Sequence, residues 1–272
     1  VIGHGAPLPF HVTNIVLYVL VSVAVYRLAV LLVSPDAALV GACLFAIHPV
    51  HTEAVANVVG QEELWVAALV LFGVTRYIQL RRSGSLPVSE VLLLFVVYLA
   101  ACMFKEHAIV FPGLLVAAEL TVIGSQTPLA IKAKSLLKLF AALAVAGAIF
   151  VAARTMVIGH VATGGSNVLL LGAPFATRFF TMLKVFMEWL RLLIWPATLS
   201  ADYSSRRIEA ATSFDSSMLP AIMVFGSLMA IAWHVRKSHP AVTFGLFFAG
   251  VALLIPSNLI LVTGFVLAER SL

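Results

Sequence analysis

Long apolar runs constrain the fold of this chain more than any other feature. The run IVLYVLVSVAVYRLAVLLV (15–33) contains one charged residue, Arg27. A helix needs about 20 such residues to cross the hydrocarbon core of a bilayer. Hydrophobic residues make up 62% of the 272 positions, whereas soluble domains have about 45–50%. The chain is therefore expected to be an all-α polytopic membrane protein.

Eight runs are predicted to span the membrane. Their bounds are 12–33, 36–57, 63–80, 88–104, 107–124, 136–157, 217–235 and 241–257. The sequence has no tandem repeat and no alternating pattern of the outer-membrane barrel type, so we expect one helical bundle domain over residues 1–272. Cys43 and Cys102 fall inside apolar runs and are predicted to be free thiols.

Basic residues set the expected orientation, because cytoplasmic loops collect Lys and Arg. With eight spans, three basic clusters lie on one side: Arg81-Arg82, Arg236-Lys237 and a group of three lysines, Lys132, Lys134 and Lys138. That side is predicted to be cytoplasmic. The net charge of +5 is attributed to lysines and arginines in cytoplasmic loops, and we expect no nucleic-acid partner.

The segment TRFFTMLKVFMEWLRLLIWP (177–196) is left out of the spans, because crossing the bilayer would reverse the side of Arg236-Lys237. Its charged residues share one stripe, and Trp189 and Trp195 are candidate interfacial anchors. Such a helix is predicted to lie in the headgroup plane on the outer face. A helix buried in the bundle is the alternative.

The motif FAIHPVHTEAV (45–55) places polar groups at the edge of an apolar run. A zinc site would need its ligands on one helix face. His48 and His51 are at i, i+3, but Glu53 points elsewhere, so no metal site is expected. Two interpretations remain open: a helix start with Pro49 in its first turn, or acid-base and hydrogen-bonding groups lining an outer-face pocket.

A second polar group, Lys105-Glu106-His107, lies where the fourth predicted span ends. It is either a snorkelling lysine at a tight turn or a cation placed for a phosphate beside a carboxylate. Further candidates lie on the same predicted outer face. They are Arg178, Arg206, Arg207, Glu269 and Arg270.

Together these motifs resemble those of the transmembrane and TPR repeat-containing protein O-mannosyltransferases and their bacterial relatives. The stretch HPVHTEAV is followed in that family by a Gly-Arg-x-Asp-type phrase, where this chain has GQEEL (60–64). The other similar stretches are PFHVTN (9–14), FKEHAIVFPG (104–113), LRLLIWPATLSADYS (190–204) and SNLILVTGFVLAERSL (257–272).

The resemblance implies a membrane glycosyltransferase of the GT-C class, which transfers a mannose-like sugar from a polyprenyl-phosphate carrier to an acceptor hydroxyl, with inversion, on the non-cytoplasmic face. It also implies a catalytic acidic residue upstream of Val1 and TPR repeats after Leu272. We therefore expect a fragment, and we name no general base. No cofactor and no metal are expected, since the lipid-linked sugar is a substrate.

Transfer from a lipid phosphate needs cations on the departing phosphate, and Lys105 and Arg270 are the candidates, with Arg178, Arg206 or Arg207 as further ones. The sugar or acceptor, or the shape of the pocket, would then fall to His48, His51, Glu53 and Glu106, with Glu269 at its border. The expected partners are membrane lipids, the lipid-linked donor and a protein or peptide acceptor.

The stretch LLIWPATLSADYS resembles bacterial members more than animal ones, which favours the bacterial inner membrane over the endoplasmic reticulum. In either membrane the site would face the periplasm or the lumen. The alternative function is a transporter or flippase for a lipid-linked or anionic substrate, which would place polar groups deep in the bundle.

Overall fold

The structure is a computed structural model that describes residues 7–123, 129–159, 169–200, 203 and 208–272, without the side chains of Val59 and 129–135. The described residues form ten α-helices and no strand. The helices are α1 (Pro7–Ala29), α2 (Pro35–Ala46), α3 (Thr52–Ala56), α4 (Gln61–Arg82), α5 (Val88–Phe104), α6 (Phe111–Thr121), α7 (Leu129–Ile158), α8 (Phe175–Ile194), α9 (Leu219–Val235) and α10 (Pro240–Ala252).

Five 3-10 helices complete the described secondary structure. They are Pro49–His51, Val58–Gly60, Glu106–Val110, Ser216–Met218 and Glu269–Ser271.

Prolines and small polar residues define the helix starts. Pro35 begins α2, and the Ser34 hydroxyl accepts a hydrogen bond from the N–H of Ala37 at 3.4 Å. Prolines also lie in the first turn of α6, α9 and α10. Proline suits this position because its missing N–H would have no intrahelical partner there.

The chain divides into two compact units. The first comprises residues 1–48 and 54–159, and the second comprises 49–53 and 160–272.

In the first unit, α4 is the central helix and packs against α1, α5 and α6, while α5 also packs against α7. In the apolar part of α4, 61% of the residues are buried, against 17% in α1 and 22% in α7. Tyr77, Ile78 and Val74 are fully buried on α4, and Phe111 lies against Gly73, where a Cβ atom would come within 2.7 Å of the ring.

In the second unit, α8 packs against α9, and α9 against α10. The buried face of α8 carries Val185, Trp189 and Leu192, which join a core cluster with Tyr203 and Leu267. Trp189 is 4% exposed, so its predicted role as an interfacial anchor is wrong. It lies on the stripe that faces the core, whereas Trp195 is exposed.

Among the described residues, four helices are long and apolar enough to cross a membrane: Pro7–Ala29, Gln61–Arg82, Leu136–Ile158 and Ser216–Val235. A bent pair, Pro35–Ala46 with Pro49–Ala56, would make a fifth. This is a helical membrane protein. The prediction of eight spans is not confirmed, because α5, α6 and α10 are shorter, with 17, 11 and 13 residues.

The predicted span 36–57 is interrupted after α2. The helix ends at Ala46, and Pro49, which has no N–H to donate to an α-helical ladder, begins a 3-10 helix. A short 3-10 helix thus begins at Pro49, which agrees with the first of the two interpretations of FAIHPVHTEAV.

Candidate functional site

In the first unit, Lys105 lies between two carboxylates. Its Nζ is 2.6 Å from Oε1 of Glu62 and 2.5 Å from Oε1 of Glu63. The side chains of Lys105 and Glu63 are 14% and 8% exposed. Lys105 is therefore a largely buried cation that already has two anionic partners.

The helix ends explain why these groups meet. Glu62 and Glu63 are in the first turn of α4, and Lys105 is the residue that ends α5. Carboxylates are favourable at a helix N-terminus and cations at a C-terminus, and a hairpin of two helices brings these two ends together. Burial alone would lower the pKa of Lys105, but the carboxylates of Glu63 and Glu62 outweigh it, so the pKa lies above its usual value. Lys105 is thus held charged.

Two further contacts extend this cluster. Nε2 of His107 is 3.5 Å from Oε2 of Glu63, and Nη1 of Arg154 is 3.5 Å from Oε2 of Glu106. With His107 neutral, three carboxylates oppose two cations. A site of this composition can hold hydroxyl groups and a fixed ammonium, and any phosphate bound at Lys105 would have to compete with Glu62 and Glu63.

In the second unit, Glu53 and Arg270 form an ion pair between their side chains. The other oxygen of Glu53 accepts the backbone N–H of Arg270 at 3.0 Å. The guanidinium also lies 5.4 Å from the centre of the Phe265 ring. This pairing fits the packing of the 3-10 helix Pro49–His51 against the 3-10 helix Glu269–Ser271.

Glu269, the neighbour of Arg270, is buried, with 3% of its surface exposed. Its Oε1 accepts the backbone N–H of Ser200 and the hydroxyl of Tyr203, each at 2.6 Å. Burial and this hydrogen bond raise the pKa of Tyr203 to about 12. Tyr203 is therefore a stable donor to Glu269.

Asn258 holds the loop that carries Glu269 and Arg270. Its φ is 55°, a left-handed conformation that asparagine tolerates better than most residues. Its amide donates to the carbonyls of Pro256 and Phe265 at 3.0 and 3.2 Å, and its Oδ1 accepts the N–H of Thr263 at 2.7 Å. The buried side chain of Asn258 thus supplies hydrogen bonds to backbone groups of this loop.

The predicted arginines have different outcomes. Nη1 of Arg178 donates to the Asn258 carbonyl at 3.2 Å, which places Arg178 beside the loop. Arg206 and Arg207 lie outside the described residues. His48 and His51 are half-buried on either side of Pro49. The role of each in binding sugar or phosphate stays a prediction.

The exposed face of α8 carries short-range ion pairs. Lys184 contacts Asp215 at 2.8 Å, and Arg191 contacts Glu188 at 2.6 Å and Thr198 at 3.1 Å. With buried and charged faces on opposite sides, α8 is amphipathic, and it is not among the four helices described above as long and apolar enough to cross a membrane. Its position at the membrane interface stays a prediction.

Sequence reasoning missed several contributors. Glu62 and Glu63 entered the sequence-based prediction only within GQEEL (60–64). Asn14 was not singled out, although its buried side chain donates to the carbonyls of Val55 and Asn57 at 3.1 and 2.9 Å. The available signal was that Asn14 and Glu62 lie in stretches that carry the family resemblance.

Within the described part of the chain, no group of three or more His, Cys, Asp or Glu could hold a metal ion.

Comparison with known proteins identifies relatives across most of the chain. Tmtc2 of Drosophila melanogaster, a protein O-mannosyl-transferase, is 34% identical over 247 residues, which are 85% of this chain and 25% of that protein. The chain belongs to the TMTC-type protein O-mannosyl-transferase family. The mouse protein O-mannosyl-transferase TMTC3 is 27% identical over 293 residues, covering 98% of this chain and 32% of that protein.

A third TMTC-type relative is the Caenorhabditis elegans protein O-mannosyl-transferase F38B6.6, which is 26% identical over 97% of this chain and 37% of its own length. The chain thus spans between a quarter and about two fifths of the length of these relatives. No protein-family model matches the chain, and no solved structure matches it. The predicted family is confirmed, while the bacterial affiliation stays a prediction.

Proposed function

We propose that the protein transfers a mannose-like sugar from a polyprenyl-phosphate carrier to a hydroxyl of a protein acceptor on the non-cytoplasmic face of its membrane. The observation that carries this proposal is the similarity to a protein O-mannosyl-transferase over 85% of the chain. The reaction forms a bond from the acceptor oxygen to C1 of the sugar and breaks the bond from C1 to the phosphate oxygen. The acceptor proton passes to a base, and polyprenyl phosphate leaves.

A lipid-linked donor fits the cations that glutamates hold in place in each unit. In the second unit the guanidinium of Arg270 is fixed by Glu53, and in the first unit the ammonium of Lys105 is fixed by Glu62 and Glu63. A phosphate at either position would meet a cation already held in place. Such preorganised charges stabilise a departing anion better than mobile ones. In the second unit we assign Arg270 to the donor phosphate, with Arg178 a further candidate, and in the first unit Lys105 stays a separate candidate.

The outer face is supported by the polarity of α4. Glu62 and Glu63 lie at its start and Arg81-Arg82 at its end, and these two groups are separated by about 27–30 Å along the helix at 1.5 Å per residue. This separation matches the thickness of a bilayer. Because basic ends favour the cytoplasm, the Lys105 cluster belongs on the opposite side.

Reconstituted transfer tests the proposal. The protein at its full natural length is placed in liposomes with mannosyl-phosphoryl-polyprenol and a serine- or threonine-containing peptide, and mannosylated peptide is measured. We expect transfer from the lipid donor and none from a nucleotide sugar. Lys105→Met and Arg270→Met are each expected to lower the rate by about tenfold or more, as for loss of one charged contact to the leaving group.

Arg76→Met is the matched control. Arg76 pairs with Glu90 on the part of α4 remote from Lys105, so this variant also breaks an arginine–glutamate pair but should keep its activity. A wild-type protein that moves the lipid-linked sugar across the bilayer without transferring it would replace the enzyme by the transporter alternative. Normal transfer by a well-folded Lys105→Met would remove Lys105 from the site.

A further inference from the structure

Glu269 is a buried carboxylate that forms no ion pair with any residue in the described part of the chain. Both hydrogen bonds that it receives, from Ser200 and Tyr203, converge on Oε1. Among the residues that the structure describes, none donates to Oε2, and no lysine or arginine lies within ion-pair distance of Glu269. Removing a carboxylate from water is unfavourable unless hydrogen bonds or a counter-charge compensate.

Other shielded carboxylates in the chain are treated differently. Glu53, Glu63 and Glu119 each pair with an arginine or a lysine. If Glu269 only had to accept the bonds from Ser200 and Tyr203, a neutral glutamine oxygen would serve as well. Its charge therefore indicates a further hydrogen-bond donor besides the residues that the structure describes.

The surroundings point to the class of that donor. Trp189 packs in the same buried cluster as Tyr203, and its Nε1–H has no acceptor among the described residues. Apolar and aromatic walls with a few polar groups are typical of small-molecule sites. A hydroxyl can donate to a carboxylate and accept from an N–H, whereas a phosphate would be repelled by Glu269.

We propose that Glu269 accepts hydrogen bonds from hydroxyls of the donor sugar and is a specificity-determining residue; this inference rests on the proposed function. The phosphate and the sugar ring are then recognised separately. Arg270 binds the phosphate, and its neighbour Glu269 accepts hydrogen bonds from the sugar hydroxyls. Hydrogen bonds to a charged group are stronger than neutral ones, so the sugar adds to the affinity of the lipid phosphate.

Equilibrium binding tests this without requiring turnover. The full-length protein in detergent micelles is titrated with mannosyl-phosphoryl-polyprenol, with its deoxy-sugar analogues and with bare polyprenyl phosphate. The wild type is expected to bind the mannosylated lipid more tightly than the bare phosphate, and Glu269→Gln to lose about 10- to 100-fold of that preference. Glu209→Gln, at an exposed glutamate of the same unit, should keep it.

The deoxy analogues identify the contact. For the wild type, one analogue is expected to bind more weakly than the mannosylated lipid. For Glu269→Gln, that analogue and the mannosylated lipid should bind equally, because the missing hydroxyl and the missing charge belong to the same interaction. A sugar preference that survives in Glu269→Gln overturns the inference, and so does a wild type without any preference. A change in acceptor-peptide binding alone also overturns it, since the carboxylate would then serve the acceptor hydroxyl.

A second variant covers the case in which Glu269→Gln does not fold. Tyr203→Phe removes one of the two donors that position Glu269 and keeps the carboxylate. It should reduce the sugar preference by a smaller factor, about 3- to 10-fold, and an unchanged preference would count against the inference. Transfer by the wild type is measured separately, so a failure of the proposed enzyme function remains distinct from a failure of this assignment.

Discussion

The carboxylate of Glu53 binds both the guanidinium and the backbone N–H of Arg270, although 217 residues separate them in the sequence. Glu53 lies in the motif FAIHPVHTEAV (45–55) and Arg270 in the stretch SNLILVTGFVLAERSL (257–272), and both residues belong to the second unit. One carboxylate thus fixes both the side chain and the main chain of the residue that we assign to the donor phosphate.

Glu53→Ala is expected to destabilise the protein and weaken donor binding, because it leaves Arg270 half-buried without this partner. Breaking a fully buried pair costs about 3–5 kcal/mol. Arg270 is 25% exposed, so we expect about 1–3 kcal/mol after solvent screening. Thermal unfolding in detergent and titration with the lipid donor measure the two effects.

The double variant Glu53→Ala/Arg270→Ala controls for the cavity. If the two residues are coupled, the double variant loses less free energy of unfolding than the two single variants lose together, by about 0.5–3 kcal/mol. Simple additivity of the two losses would show that the ion pair contributes nothing to stability.

Asn258→Ala is expected to lower stability more than Asn258→Gly. Both changes remove the bonds to Pro256, Thr263 and Phe265, but only alanine also opposes the φ of 55°. The left-handed conformation costs a residue with a Cβ about 1–2 kcal/mol. Unfolding curves of the two variants should differ by about this amount, and equal stability would show that the backbone conformation is not maintained.

Gly60→Ala is expected to be strongly destabilising. A Cβ at Gly60 would clash with the carbonyl oxygen of Ala54 and lie 2.7 Å from its carbonyl carbon and 2.9 Å from its Cα. The backbone there cannot move aside as a flexible side chain would, so we expect a loss of at least about 2 kcal/mol, comparable with severe overpacking. Denaturant titration of the purified protein measures it.

Gly41→Ala is the matched control for this change. No atom lies within 4 Å of a Cβ at Gly41, which is inside α2, and alanine favours a helix over glycine by up to about 1 kcal/mol. The control should be neutral or more stable. Equal effects of the two substitutions would disprove the close approach at Gly60.

Tyr203 gives a dependence on alkaline pH. Its pKa is raised from 10.0 to about 12 in the folded state, so folding favours the protonated phenol. Its contribution to stability is present below pH 10 and is lost as the pH rises from 10 towards 12. Tyr203→Phe should therefore show a shallower loss of stability over that range than the wild type.

Tyrosinate absorbance provides the check. The difference between wild type and Tyr203→Phe isolates one phenol, which should ionise near pH 12 and not near pH 10. Ionisation at the usual pH would mean that Tyr203 is neither buried nor bonded to Glu269.

Local features were predictable where local physics decides them. The predicted span 88–104 coincides with α5, and 136–157 lies within α7, because apolar composition and helix length are written in consecutive residues. The stripe on 177–196 correctly predicted a helix with a charged face. It did not show that Trp189 faces the core, since both faces of that helix carry aromatic residues.

The partners of Lys105 could not be found in the same way. The sequence predicts a cation at a helix end for Lys105 and shows Glu62 and Glu63 only as part of GQEEL, but their contact depends on how α4 and α5 pair. Similarly, Glu269 was predicted at the border of the site, while its bonds to Ser200 and Tyr203 depend on the loop that Asn258 holds.

By itself the sequence determined a helical membrane protein, the approximate position of most helices and the family, because hydropathy, helix starts and motifs are properties of neighbouring residues. Tertiary structure alone decided which charges meet. Glu53 reaches Arg270, and Lys105 reaches Glu62 and Glu63, because packing brings together groups whose distance along the chain carries no information about their distance in space. Long-range ion pairs form between whichever helix ends and loops the packed core places side by side.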